Sequence, residues 1–155
     1  MGIVAQELRE YEQARKDYQQ ALQIYIEYND RYEQASTYHH LGIVAQELRE
    51  YEQARKDYQQ ALQIYIEYND RYSQASTYGQ LGLLAEAEEK PEEAIHNLLK
   101  ALEVFVEFKD NHSVSMTLNN IKRIYQSNPS DQLLNTIAQA IDCSEAEVLQ
   151  LFEQL

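Results

Sequence analysis

The sequence predicts an all-α chain, a solenoid of antiparallel helical hairpins closed at its C-terminal end by capping helices. Three observations carry that prediction. Residues 2–32 and 42–72 are the same string, and over the full 40-residue period only three pairs differ: Glu33/Ser73, His39/Gly79 and His40/Gln80. A fixed period in the range of about 20–50 residues marks stacked supersecondary units, each unable to bury its apolar face alone. Apolar and small residues recur three and four apart through both halves of the unit, which is the stripe of an α-helix and not the alternation of a strand. Finally, 44% hydrophobic and 25% charged residues with only two Pro and four Gly suit a soluble helical chain and leave little for the turns of a β-rich one.

The chain opens in mid-unit at Gly2, so the first hairpin is expected to lack its opening half. Residues 2–10 then form half a helix, and Ile3, Val4, Ala5 and Leu8 have no neighbouring repeat to bury them. After a short break at Arg9-Glu10 a B helix is expected near residues 11–28. Tyr32, Ala35, Tyr38, Leu41, Gly42, Ala45 and Leu48 make the stripe of helix A, near 31–48. A second break at Arg49-Glu50 leads to Tyr51, Ala54, Tyr58, Ala61, Leu62, Tyr65 and Tyr68, helix B, near 51–68. The pattern returns as an A helix near 71–88 and a B helix near 91–108.

Asn29-Asp30 and Asn69-Asp70 separate B from the next A. Asn tolerates the left-handed conformation that ends a helix, and Asp caps the one that follows. Glu33 stands where Asp30 would find the reciprocal partner of a capping box, a partner lost at Ser73. Glu50 and Lys90 are poor caps for helix B, although Pro91 suits a first-turn position. A fourth A-like helix, 111–127, keeps Leu118, Ile121 and Tyr125 on its stripe but carries Lys122 in place of the small residue, which marks it as terminal. Pro129 stops it by pushing Asn128 out of the helical region. Ser130 or Asp131 then caps a helix through Ile141, and Ser144 with Glu147 forms a capping box for a last helix to Leu155.

The small residues Gly42, Ala45, Ala54 and Ala61 stand where two helices must approach closely, beside the large Tyr38, Leu41 and Tyr58. This pattern, Y-x-x-L-G-x-x-A followed by A-x-x-x-Y-x-x-A, resembles the tetratricopeptide repeat (TPR) over about residues 2–127. It recurs as Tyr78, Leu81, Gly82, Ala85, Ala94, Leu98 and Ala101. The 40-residue period is similar to the extended variants of kinesin light chains, Pins-type scaffolds and bacterial signalling arrays. The resemblance implies a right-handed α-solenoid with repeats at about 2–30, 31–70 and 71–110, the terminal helix 111–127, and a cap at 130–155. It also implies a concave inner wall carrying Ser36, His39, His40, Ile43, Gln46 and Glu47, then Ser76, Gln80, Leu83 and Glu86, then Asn119, Asn120 and Arg123. The family's carboxylate clamp needs Lys, Asn and Arg at positions that here read His39, Ile43, Leu83 and Asn119. Only Arg123 agrees, which argues against an adaptor for chaperone tails.

Composition and motifs limit the function further. A net charge of −13, from 13 Lys and Arg against 26 Asp and Glu, repels nucleic acid and anionic lipid and favours neutral to basic partners. The last two helices could resemble a helix-turn-helix reader, but residues 130–155 contain no Lys or Arg. No apolar run reaches transmembrane length, and Gln6 stands where a myristoylation motif wants Ser or Thr. One cysteine, Cys143, excludes an intrachain disulfide and fits a reducing, cytoplasmic setting.

His39 and His40 point about 100° apart on a helix and cannot share a metal as an i, i+4 pair would. No HExxH, CxxC or phosphate loop is present, so neither cofactor nor catalysis is expected. Two functions follow. The first is a non-catalytic scaffold that binds a protein or peptide segment in its concave groove, with Ile43 and Leu83 flanked by His, Gln and Asn groups. The second is self-assembly as a homodimer through Ile3, Val4 and Leu8.

Overall fold

In a computed structural model the described residues are 2–155, with side chains from Val4 onward. The expected contact residue Ile3 therefore lies, as a side chain, outside the described residues. The described residues form eight α-helices and no strand: α1 (Gly2–Glu27), α2 (Arg31–Glu47), α3 (Tyr51–Glu67), α4 (Arg71–Ala87), α5 (Pro91–Glu107), α6 (Asn111–Ser127), α7 (Asp131–Ala140) and α8 (Glu145–Gln154). The chain is an all-α solenoid of the expected class, and α2 to α6 fall within a residue or two of the sequence periodicity.

The exception is α1. Its sequence is that of residues 42–67, which turn back on themselves after Glu47, yet α1 runs straight through the expected break at Arg9-Glu10. The turn in the second copy needs Arg49 at φ 60°, a left-handed conformation that costs a non-glycine residue about 1–2 kcal/mol. Between α2 and α3 that cost is offset by packing: Tyr58, Ala54, Ala61 and Ile64 are wholly buried, with Val44 and Ala45 nearly so. In α1 the described residues that a turn would fold back are Val4, Ala5 and Leu8, too few to match it. Gln, Glu, Leu and Arg are good helix formers and carry the helix onward.

The joints from α1 to α6 repeat one geometry. Asn29, Arg49, Asn69, Glu89 and Lys109 all have φ near 53–61°, and the residue after each returns its N–H to a carbonyl five back, as Glu50 does to Ala45 at 2.8 Å. Asp30 caps α2 by accepting from the Glu33 N–H at 3.3 Å. Its own N–H is already bonded to Tyr25 O at 2.8 Å, so Asp30 does not complete the expected capping box. Ser73 strengthens its cap, because its hydroxyl adds a 2.7 Å bond to Asp70 beside the backbone bond. Neither Glu50 nor Lys90 caps its helix, Ser130 caps α7, and Ser144 with Glu147 forms the full capping box of α8.

Two compact units result, residues 1–80 and 81–155. The first has its core in Ala35, Ala61, Ile64 and Tyr65, with Tyr38 against them. The second packs Ala85, Ala94, Ile95 and Leu98 with Ile121 and Ile124 and with Leu133, Ile137, Val148 and Phe152. Residues of the expected cap at 130–155 thus share a core with α5 and α6. Lys122, which replaces a small residue, reaches from α6 to donate to Leu155 O at 3.1 Å.

Candidate functional site

Most of the wall expected from sequence is already engaged within the protein. His39 is half-buried, with its ring 5.8 Å from that of Tyr58 and its Nδ1 3.1 Å from Thr77 Oγ1. Burial, with the neighbouring His40 charge, lowers its pKa to about 4, so it is neutral at physiological pH. Its ring therefore takes part in packing between helices, at a position that the sequence places on the inner wall. His40 stacks on Tyr18 at 5.3 Å, and its Nδ1 lies 2.7 Å from Ser36 O. Gln46 accepts from the Tyr58 hydroxyl at 2.9 Å, and Glu47 from the Tyr11 hydroxyl at 3.4 Å. Ile43 and Gln80 are partly exposed.

In the second unit Arg123 grips Glu86 through two bonds of 3.1 and 2.7 Å and donates to Asn120 Oδ1 at 2.8 Å. Asn119 donates to Ser115 O at 2.9 Å, and Leu83 is partly exposed.

The first unit has a groove of about 710 Å³ between α1 and α3, floored by α2. Its floor is Tyr38, Leu41 and Ala45; Arg15, Gln19 and Leu22 form the α1 wall, and Tyr51, Gln53, Lys56 and Asp57 the α3 wall. The turn at Arg49 builds one end. Glu50 occupies the cap position of α3 without bonding to the backbone, which leaves its carboxylate to pair with Arg15 across the groove. Asp57 is the unusual member. Its side chain is buried and accepts from Gln53 Nε2 at 3.1 Å, and burial raises its pKa against the lowering pull of that bond and of Arg15.

Sequence reasoning passed over Arg15, Tyr38 and Asp57 as site residues. The available signal was a carboxylate on the apolar stripe itself, three residues after Ala54 and four before Ala61.

The second unit has a smaller cleft of about 380 Å³, with Leu99, Leu102, Val106 and Ile141 on its apolar side and Glu103, Glu107 and Asp142 among its lining. Cys143 is a free thiol packed beside this core, its pKa raised by burial and by the charges of Glu147 and Asp142. Among the described residues no group of three or more His, Cys, Asp or Glu side chains converges as metal ligands would, and no helix is long and apolar enough to cross a membrane.

Comparison with known proteins agrees with this architecture. Two tetratricopeptide-repeat family models match, one over residues 1–67 and another over residues 75–105. No protein of curated function matches the chain in sequence. Among solved structures, BtubC (BKLC) from P. vanneervenii superposes with a TM-score of 0.70 at 20% sequence identity, over 94% of this chain and 59% of the other. At that identity the likeness is one of fold, and the chain spans about three fifths of that structure's length.

Proposed function

Because the chain belongs to the tetratricopeptide-repeat family, whose repeats generally mediate protein–protein interaction, we propose that it is a non-catalytic interaction scaffold. On this reading its groove between α1 and α3 holds a peptide segment, extended or helical, that presents a basic side chain among apolar ones. The observation that carries the proposal is the buried Asp57 carboxyl on the wall of a groove whose floor is Tyr38, Leu41 and Ala45. The apolar floor supplies affinity through area removed from water, and Asp57 supplies specificity through a charge-assisted hydrogen bond. The net charge of −13 steers a basic segment toward the protein. The α2 wall of Ile43, Gln46 and Glu47 is a weaker candidate, because two of its three side chains already bond to tyrosine hydroxyls.

Selection of peptides from a random library on the immobilised protein tests the proposal. Enriched sequences should carry Lys or Arg flanked by apolar residues, and Asp57→Asn should weaken their binding roughly tenfold or more by removing the charge. Binding indifferent to Asp57→Asn would refute the groove as the site.

A second reading, self-association through the N-terminal helix, has its own observation. Val4 is 67% exposed, Leu8 47% and Ile24 52%, whereas Val44 and Ile64, the same residues of the second copy, are 5% and 0% exposed.

A further inference from the structure

The same 31-residue string adopts two structures in one molecule, and the difference leaves a specific surface open. In the folded-back copy, Gly42 lies so close to Tyr58 that an added Cβ would stand 2.6 Å from its ring, and the Tyr58 hydroxyl donates to Gln46 at 2.9 Å. The equivalent residues of the first copy, Gln6 and Tyr18, are on one straight helix. Twelve residues separate them by about 18 Å along the axis, so they cannot meet within α1. Tyr58, Ala54 and Ala61 are wholly buried, but Tyr18, Ala14 and Ala21 are each partly exposed.

We infer that this open face of α1 is covered by the α1 of a second copy of the same chain, the two helices running antiparallel and exchanging residues 2–10. The inference deepens the self-association reading and rests on it. The occupant is fixed by sequence identity: residues 2–10 are the same string as residues 42–50, which begin with the close packing on Tyr58. Run two straight α1 helices antiparallel, and Gln6 of one copy stands where Gln46 stands relative to Tyr58, against Tyr18 of the other. The same contact recurs across a two-fold axis near Glu12. Val4, Ala5 and Leu8 then lie against the other copy's Ala14 and Tyr18.

The hinge is Leu8-Arg9-Glu10, equivalent to the Leu48-Arg49-Glu50 turn, and opening it relieves the left-handed strain that Arg49 carries at φ 60°. Such an exchange is isologous, so it stops at two copies. The charge of −13 on each copy opposes it, and added salt tightens it.

Sedimentation of the full chain over a wide concentration range, with hinge variants and a crosslink, tests the inference. The unaltered chain should dimerise reversibly. Arg9→Gly, which makes the left-handed turn free of strain and the straight helix less favourable, should weaken the dimer about tenfold or more. Arg9→Ala should leave it as tight or tighter. In a Cys143→Ser background, the pair Gln6→Cys and Tyr18→Cys should be joined by a short bifunctional maleimide into a species of doubled mass. A strictly monomeric chain at high concentration and high salt overturns both the exchange and the reading beneath it. A dimer that ignores Arg9→Gly, or yields only intrachain crosslinks, overturns the exchange and leaves self-association by another surface.

Discussion

Gly42, Gly79 and Gly82 occupy helices of similar sequence, yet only two of them are needed as glycine. At Gly82 a Cβ would stand 2.7 Å from Leu98 Cγ and 3.1 Å from the Ala94 carbonyl oxygen, and at Gly42 it would meet the Tyr58 ring. At Gly79 nothing lies within 4 Å. Gly82→Ala should therefore destabilise the protein by about 1–3 kcal/mol through overpacking against backbone that cannot move aside. Gly79→Ala should stabilise it by about 0.4–1 kcal/mol through the unfolded state. Urea unfolding midpoints moving in opposite directions would bear this out; a shared direction would contradict it.

His39 gives a pH dependence at the same scale. Its folded pKa of about 4 lies below the unfolded value of about 6.5. Between those values the unfolded chain binds the proton and the folded one does not, so stability is retained above pH ~6.5 and lost as pH falls toward 4. The loss is of order 2–3 kcal/mol at pH 4. Unfolding free energies of the unaltered chain and His39→Gln, compared between pH 7 and pH 4, should diverge by about that amount as His39 is titrated; parallel curves would show that the ring is accessible to water in the fold.

Among the elements, the helices α2 to α6 were legible because their stripes repeat in register and the joints before α2 and α4 carry the Asn-Asp signal. What could not be read was the course of residues 2–27. Identical residues form a hairpin at 42–67, and the difference lies in what packs against them, with the helical preference of Gln6 to Tyr11 deciding the outcome where packing is thin. The left-handed joints at Arg49, Glu89 and Lys109 were hidden for a related reason: none is Gly or Asn, and each is held there by the packing of the helices it connects. Arg49→Gly should accordingly stabilise the protein by about 1 kcal/mol, since it removes the Cβ clash of a positive φ at an exposed site. A lower thermal midpoint in that variant would mean that the joint is not strained.

Taken as a whole molecule, the candidate site was less legible than the fold. The family pattern points to inner-wall residues, but side chains there find one another first, as Arg123 does with Glu86 and Asn120. The groove residues could not be separated from core residues by pattern alone. Asp17 and Asp57 have the same sequence neighbours, and only Asp57 is buried, because a groove wall exists at one copy and not at the other.

The measurement that tests the central claim most directly is amide hydrogen exchange of the full chain with and without a basic, apolar-flanked peptide selected on it. The account predicts added protection in α1 around Arg15 to Leu22 and in α3 around Tyr51 to Asp57, with α6 unchanged. Protection centred on Asn119 to Arg123 instead, with α1 and α3 unaffected, would contradict it.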